Sequence, residues 1–240
     1  MKVSWFGLCV ALALGGSGGA RAADGGAATP AAAPAGPRLG VKAVVERVQK
    51  RYDGAGDFRA RFTQTLTNPT FNRKTTSTGE VLLKKPGRMR WNYQTPEAKM
   101  YLADGDRLWL YEPEDQQAFK QDLKSSQLPA ALSFLTGKGK LTEQFDVSFA
   151  DKPAYGSARD YVLLLQPKKA QPQLKSMMFV VDPDSFHVRQ SVLLDGQGNT
   201  NDLAFSDVKI NSGVADATFH WSPPAGVRVI DTAKMGPTGQ

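Results

Sequence analysis

Two histidines, two closely spaced acidic pairs and one glycine–lysine run are the places in this 240-residue chain where side-chain chemistry could begin. His187 and His220 could serve a zinc ion or a Ser-His-Asp device. They lie far apart, in strand-like segments, and neither has the paired spacing that a metal-binding helix or loop requires. Asp104 and Asp106 bracket Gly105, and Asp182 and Asp184 bracket Pro183. Such carboxylates could hold calcium or flank a glycosidic bond, but around glycine and proline they are turn residues first. The run TGKGKLT at 136–142 has the flavour of a phosphate loop. It lacks the Gly-x4-Gly-Lys-Ser/Thr spacing, Leu141 follows the lysine, and it reads as a helix stop with solvated cations. The one G-x-S-x-G match, GGSGG at 15–19, closes the N-terminal apolar run, and none occurs after it. The residue types therefore point to no catalytic group, no metal ligands and no cofactor.

A second kind of chemistry resides in KKPGRMRWNYQTP, residues 84–96. Arg88, Met89, Arg90, Trp91, Asn92 and Tyr93 alternate cations or amide with large apolar side chains. Basic residues interleaved with aromatics could form a nucleic-acid platform, or one strand with an apolar and a charged face. The period of two places Met89, Trp91 and Tyr93 together, with Arg88 and Arg90 pointing the other way. Arg88 and Arg90 then become candidates for meeting an acidic partner.

Export argues against nucleic acid. Lys2 precedes the apolar run WFGLCVALALGG, which is too short to span a bilayer, and ARA at 20–22 offers small residues for cleavage after Ala22. Residues 1–22 read as a signal peptide. Removing Lys2 and Arg21 with it lowers the net charge from +7 to +5, without any block of five cations. Cys9 is the sole cysteine and would leave as well, so the mature chain has no thiol or disulfide. Gly7 and Leu8 before Cys9, with most of the apolar run after it, do not suit a lipid-anchored cysteine. Residues 23–38, rich in Ala, Pro and Gly, read as a flexible leader. Residues 39–233, large enough for one sizeable core, form the domain, and 234–240 a flexible tail.

The elements that must position these residues are mostly strands. One amphipathic helix opens the domain, with Val41, Val44, Val45, Val48 and Tyr52 on one stripe, and DGAGD at 53–57 stops it. DFRARFTQTL then puts Phe58, Ala60, Phe62 and Leu66 on one face. KMYLADGDRLWLYEP reads as a hairpin turning at 103–106. About ten or eleven strands follow one another with tight antiparallel turns, too many for a flat sheet. A second helical stretch, SSQLPAALSFLTGKGK, carries Leu128, Ala131, Leu132 and Leu135 on one stripe with Phe134 beside it. Two short helices with apolar stripes need cover, and the concave side of a curled sheet offers it. MYLA, LWLY, YVLLL and MMFVV are apolar on both faces, as for ordinary core or for the wall of a hydrophobic cavity.

FRARFTQTL, then GEVLLKKPGRMRWNYQTPEAKMYLADGDRLWLYEPEDQQAFKQ, then FHWSPPAGVRVID resemble the periplasmic outer-membrane lipoprotein carrier proteins of the LolA family. The resemblance extends from about Val41 to Asp231 and is densest over Phe58–Gln121. It implies a mainly β (α+β) fold: a single curled antiparallel sheet forming an incomplete barrel of ~11 strands, with a lid of short helices over a hydrophobic cavity.

It also implies a non-enzymatic periplasmic chaperone that works as a monomer, without nucleic acid. Such carriers take acylated lipoproteins released by an inner-membrane ABC transporter and hand them to an outer-membrane lipoprotein receptor. Met89, Trp91, Tyr93, Met100, Leu102, Leu128, Leu132 and Leu135 are the expected cavity residues. Methionines, here Met89, Met100, Met177 and Met178, suit an adaptable lining. In the family an arginine before the proline of a K-R-P segment ties the barrel to the lid. Lys85 stands at that position, as the lid-lock candidate, with the charge but not the planar fork of arginine. A related sensor that binds lipids or lipoproteins, an outer-membrane receptor with an acylated cysteine, and an exported hydrolase are the alternative functions.

Overall fold

The computed structural model describes residues 38–123, 140–151, 153–171 and 173–232. The second helical stretch, with Leu128, Leu132 and Leu135, lies outside the described residues, as do residues 23–37 of the leader and the tail. One helix, α1 (Val41–Asp53), precedes the sheet. Its apolar spacing is realised as expected: Val44, Val45, Val48 and Tyr52 are buried. Lys50 and Arg51 occupy the last turn, where cations favour the helix dipole, and Gly54 closes it.

Twelve strands form a single sheet: β1 (Asp57–Asn68), β2 (Arg73–Lys84), β3 (Arg88–Thr95), β4 (Lys99–Ala103), β5 (Arg107–Glu112), β6 (Gln117–Asp122), β7 (Phe145–Phe149), β8 (Tyr161–Pro167), β9 (Ser176–Val181), β10 (Val188–Leu194), β11 (Thr200–Ile210) and β12 (Arg228–Asp231). A one-turn helix, α2 (Leu141–Gln144), leads into β7. A 3-10 turn spans Asp216–Phe219. The sheet order is β12-β6-β5-β4-β3-β2-β1-β11-β10-β9-β8-β7, so β12 and β7 remain edges and the curled sheet does not close. Register shifts at Thr78/Gly79, Arg59/Arg61 and Val188/Gln190 add the local twist that such a broad sheet needs.

Two expectations change. The sheet has one strand more than the eleven read from the sequence, and it is not antiparallel throughout. The additional strand is β12, RVID, which pairs in parallel with β6 after the chain has crossed the outside of the sheet. A short strand at a sheet edge, reached by a long irregular segment, leaves little periodic signal.

The two faces of the sheet carry separate cores. On the inner face α1 packs with Phe58, Ala60, Phe62, Val81, Leu83, Met89, Trp91, Tyr93, Tyr101 and Ala103 in one cluster that continues through Leu163, Leu165, Met177 and Phe179. On the outer face Met100, Leu102, Trp109 and Ala118 pack with Tyr111, Trp221 and Val227. Leu82 packs there with Val214 and Phe219. The doubly apolar strands β4 and β5 thus have a cover on each side. For β8 and β9 the outer cover is the 150–160 loop. At Gly156, with φ +80°, a Cβ would stand 3.1 Å from a Val180 methyl and 3.2 Å from a Val162 methyl, so glycine lets this loop lie close on the sheet.

Candidate functional site

The inner face of β3 is built row by row. Met89, Trp91 and Tyr93 stand opposite Leu83, Val81 and Gly79 on β2, and opposite Ala103, Tyr101 and Lys99 on β4. Phe62 pairs with Gly79 from the other side. The missing side chain at Gly79 lets two rings close over it: Phe62 and Tyr93 meet with centroids 4.9 Å apart and planes at 72°. A Cβ on Gly79 would sit 2.0 Å from the Asn92 carbonyl oxygen and 2.8 Å from the Phe62 ring. Phe62 also lies 4.9 Å from Trp91, and Tyr93 lies 5.9 Å from Tyr101. The Lys99 ammonium stands 5.0 Å above the Tyr93 ring.

This aromatic row is covered. Met89, Trp91 and Tyr93 are only 4, 6 and 5 % exposed. Its polar groups are paired at one end: Tyr93 Oη donates to Gln64 Oε1 at 3.0 Å, and Gln64 Nε2 donates to Asn201 Oδ1 at 3.0 Å. Phe62 and Gln64 belong to the row and are absent from the cavity set expected from the sequence. Their alternation in β1 is the available signal.

Met100 and Leu102 do not belong to it. Successive residues of a strand face opposite ways, and on β4 it is Tyr101 and Ala103 that face inward. Met100 pairs with Asn92 and Leu102 with Arg90, both of the outer face. Apolar character alone misassigns them, because the outer face of β4 is as apolar as the inner. The methionines divide in the same way. Met177 is buried in the inner cluster with Met89, whereas its neighbour Met178 is not part of that cluster.

Arg88 and Arg90 do point outward, but the chain itself occupies them. Arg88 Nη1 lies 2.8 Å from Asp216 Oδ1, and Lys84 Nζ lies 2.6 Å from the same oxygen. Arg90 Nη1 donates to the Thr218 carbonyl at 2.8 Å. The expected open surface for an acidic partner is therefore a clasp for residues 214–219. Hydrogen bonds from Lys84 and then Arg88 hold the Asp216 carboxyl down at about 2. A second clasp secures the start of that segment. Burial pushes the Asp57 carboxyl up, yet it accepts from Ser212 N at 2.8 Å, Ser212 Oγ at 3.0 Å and Gly213 N at 3.0 Å, and these donors hold it below its ordinary value.

Lys85, in the β2–β3 turn, reaches the helix. Its Nζ donates to the carbonyls of Tyr52 at 2.7 Å and Asp53 at 3.1 Å, in the last turn of α1. The Tyr52 hydroxyl, pushed up to about 12 by burial against the opposing Val188 N–H, accepts from that N–H at 3.1 Å. Helix and sheet are thus pinned at two points of one residue.

The residues first weighed for catalysis sit elsewhere. Asp104 Oδ1 accepts from the backbone N–H groups of Asp106 and Arg107, and Asp182 Oδ1 from Asp184 and Ser185, so both acidic pairs shape turns. His187 lies in the turn before β10. Its Nε2 accepts from Arg51 Nε at 2.6 Å, and burial, then the Arg51 charge, push it below its ordinary value against the pull of Asp182. An open cleft of about 350 Å³ lies there, lined by Arg47, Lys50, Arg51, Phe186 and Asn211 among others. It is separate from the aromatic row. Among the described residues, no group of three or more His, Cys, Asp or Glu is placed to hold a metal ion.

An unclosed, curled sheet with a continuous apolar inner face under a helix defines the incomplete-barrel class of proteins. The family model described as "Outer membrane lipoprotein carrier protein LolA" matches residues 53–222. The chain is 30% identical over 194 residues to an outer-membrane lipoprotein carrier protein of Pseudomonas paraeruginosa, covering 78% of this chain and 88% of that one. It is 27% identical over 190 residues to that of Azotobacter vinelandii, with coverages of 78% and 87%. A crystal structure of an uncharacterised conserved protein from Thermus thermophilus shares the fold, at TM-score 0.51 and 13% identity, over 79% of this chain and 98% of that one. The chain belongs to the outer-membrane lipoprotein carrier (LolA) family.

Proposed function

We propose that this protein is a periplasmic carrier that shields the acyl chains of lipoproteins on the inner face of its sheet while they cross water. The observation that carries this reading is the row Phe62, Met89, Trp91 and Tyr93. It is a contiguous aromatic and thioether surface on the inside of a sheet that does not close. Burial contributes ~0.8 kcal/mol per methylene, so one chain of about sixteen carbons gains on the order of 10 kcal/mol by leaving water. A lipoprotein cannot leave a membrane unaided against that cost, and a carrier needs only an apolar surface to offset it. No reacting group is required.

Uptake displaces apolar cover from this row, because the row is packed in the structure. Lys85 sets how readily α1 moves aside, since its ammonium ties the barrel to the last turn of the helix. The proposed donor is an inner-membrane ABC transporter that releases lipoproteins, and the proposed acceptor is an outer-membrane lipoprotein receptor.

The test is release. Inner-membrane vesicles containing the cognate transporter and a radiolabelled lipoprotein are incubated with ATP and the purified protein. Label moving into the soluble fraction, in a 1:1 complex with the protein, supports the proposal. Label retained in the vesicles at saturating protein and ATP refutes it.

A further inference from the structure

The inner face pairs its tyrosine hydroxyl and its glutamine amide, but one donor is left over. Tyr93, Gln64 and Asn201 form a closed chain from β3 to β11. Two residues before Tyr93, the indole N–H of Trp91 is buried and meets no acceptor among the described residues. The side chain is 6 % exposed, set between Val81 and Tyr101 on the neighbouring strands and against the Phe62 ring. A position that needed only apolar bulk would be served by phenylalanine or leucine. An indole there carries the cost of stripping water from an N–H without replacing the bond, a cost that a benzene ring avoids. Buried donors in folded proteins are almost all paired, so an exception asks for a partner that is present only part of the time. Water is a poor one, because a buried water needs two or more polar contacts, and Val81 and the Phe62 ring beside the indole offer none.

A ligand otherwise made of hydrocarbon can bring a single acceptor to this place: the carbonyl oxygen at the head of an acyl chain. We infer that the Trp91 Nε1–H donates to that carbonyl and so makes the inner face selective for acyl lipids over plain or ether-linked hydrocarbon. The inference rests on the carrier reading above and adds the one directional contact that reading lacks. An apolar wall lets a chain slide along it at little cost, whereas a carbonyl held about 2.9 Å from the indole nitrogen fixes how deep the chain lies. Trp91 is then the residue that sets the register of the bound lipid. The aromatic and methionine surface around it supplies the non-directional part of the affinity.

The probes are a diacylglyceryl-cysteine peptide with ester-linked sixteen-carbon chains, the same peptide with ether-linked chains, and an amide-linked form, titrated against the full-length protein. The ester probe is expected to bind roughly tenfold more tightly than the ether, with the amide matching the ester if the carbonyl alone is read. In Trp91→Phe the ester-to-ether ratio is expected to fall to about one. In ¹⁵N-labelled protein, the indole signal missing from the Trp91→Phe spectrum should move downfield with the ester probe and not with the ether.

Equal affinities for ester and ether in the wild-type protein overturn the inference and leave the carrier reading intact. A ratio that persists in Trp91→Phe also overturns it. Failure to bind any of the probes defeats both. Should Trp91→Phe not fold, the wild-type ratio decides: about ten supports the inference and about one ends it.

Discussion

The ammonium of Lys85 donates to the carbonyl oxygen of Tyr52 at 2.7 Å, tying the β2–β3 turn to the last turn of α1. A charged donor on a helix's last carbonyls favours both the hydrogen bond and the dipole. Lys85→Met should therefore destabilise the protein by about 1 kcal/mol, with faster amide exchange confined to the second half of α1. Lys85→Arg should restore protection, since arginine keeps the charge and reaches the same acceptors. Unchanged exchange in Lys85→Met would show that the tether does not govern the helix.

Gly79 makes a different contribution, through what it lacks. Phe62 and Tyr93 close over it, and an added methyl would collide with the backbone oxygen of Asn92, which cannot rotate away. Gly79→Ala should cost about 1–3 kcal/mol, as overpacking does elsewhere, read as a lower urea midpoint at constant slope. A neutral result would mean that β2 and β3 separate more easily than their register suggests.

The segment after β11 should come loose in acid. Asp57 is held below its ordinary value, and so is Asp216, at about 2, by Lys84 and Arg88. A depressed carboxylate adds stability that is complete above its unfolded value of about 3.9, and that stability is lost as pH falls through the folded value. Unfolding midpoints should thus hold steady down to about pH 4–5 and drop below it. Asp57→Asn should lower the plateau and flatten that drop. An acid limb as steep in Asp57→Asn as in the wild type would assign the effect to other carboxylates.

Leu102 tests the division between the faces. It is fully buried in the outer cluster with Met100 and Trp109, under Trp221. Leu102→Ala should cost about 2–5 kcal/mol while leaving acyl-probe affinity per folded molecule unchanged. A large loss of affinity with full stability would return Leu102 to the binding surface.

How far the sequence carries these conclusions depends on periodicity. The stripe of α1, the β4–β5 hairpin and the inward set Met89, Trp91 and Tyr93 follow from spacings of 3.6 and 2, which the side chains obey because burial enforces them. Where both faces are apolar the alternation vanishes, so Met100 and Leu102 fall on the side opposite to the expected one. Arg88 and Arg90 point outward, as their alternation requires. Nothing local announces that residues 214–219, more than a hundred positions away, come back to claim their charges. The same long return explains why β12 gives no strand signal and why its pairing with β6 is parallel. The tie from Lys85 to α1 is expected only through the family resemblance. The unpaired N–H of Trp91 depends on which strands flank it, and that no local spacing reveals.

The methionine methyls offer the most direct test of where acyl chains bind, because they report without mutation. Met89 and Met177 lie in the inner cluster, and Met100 lies in the outer one. With ¹³C-methyl-labelled methionine, titration of an acylated lipoprotein should shift and broaden the Met89 and Met177 signals and leave Met100 in place. The same lipoprotein without its acyl chains should move none of them. Shifts at Met100 with Met89 and Met177 silent would contradict the account.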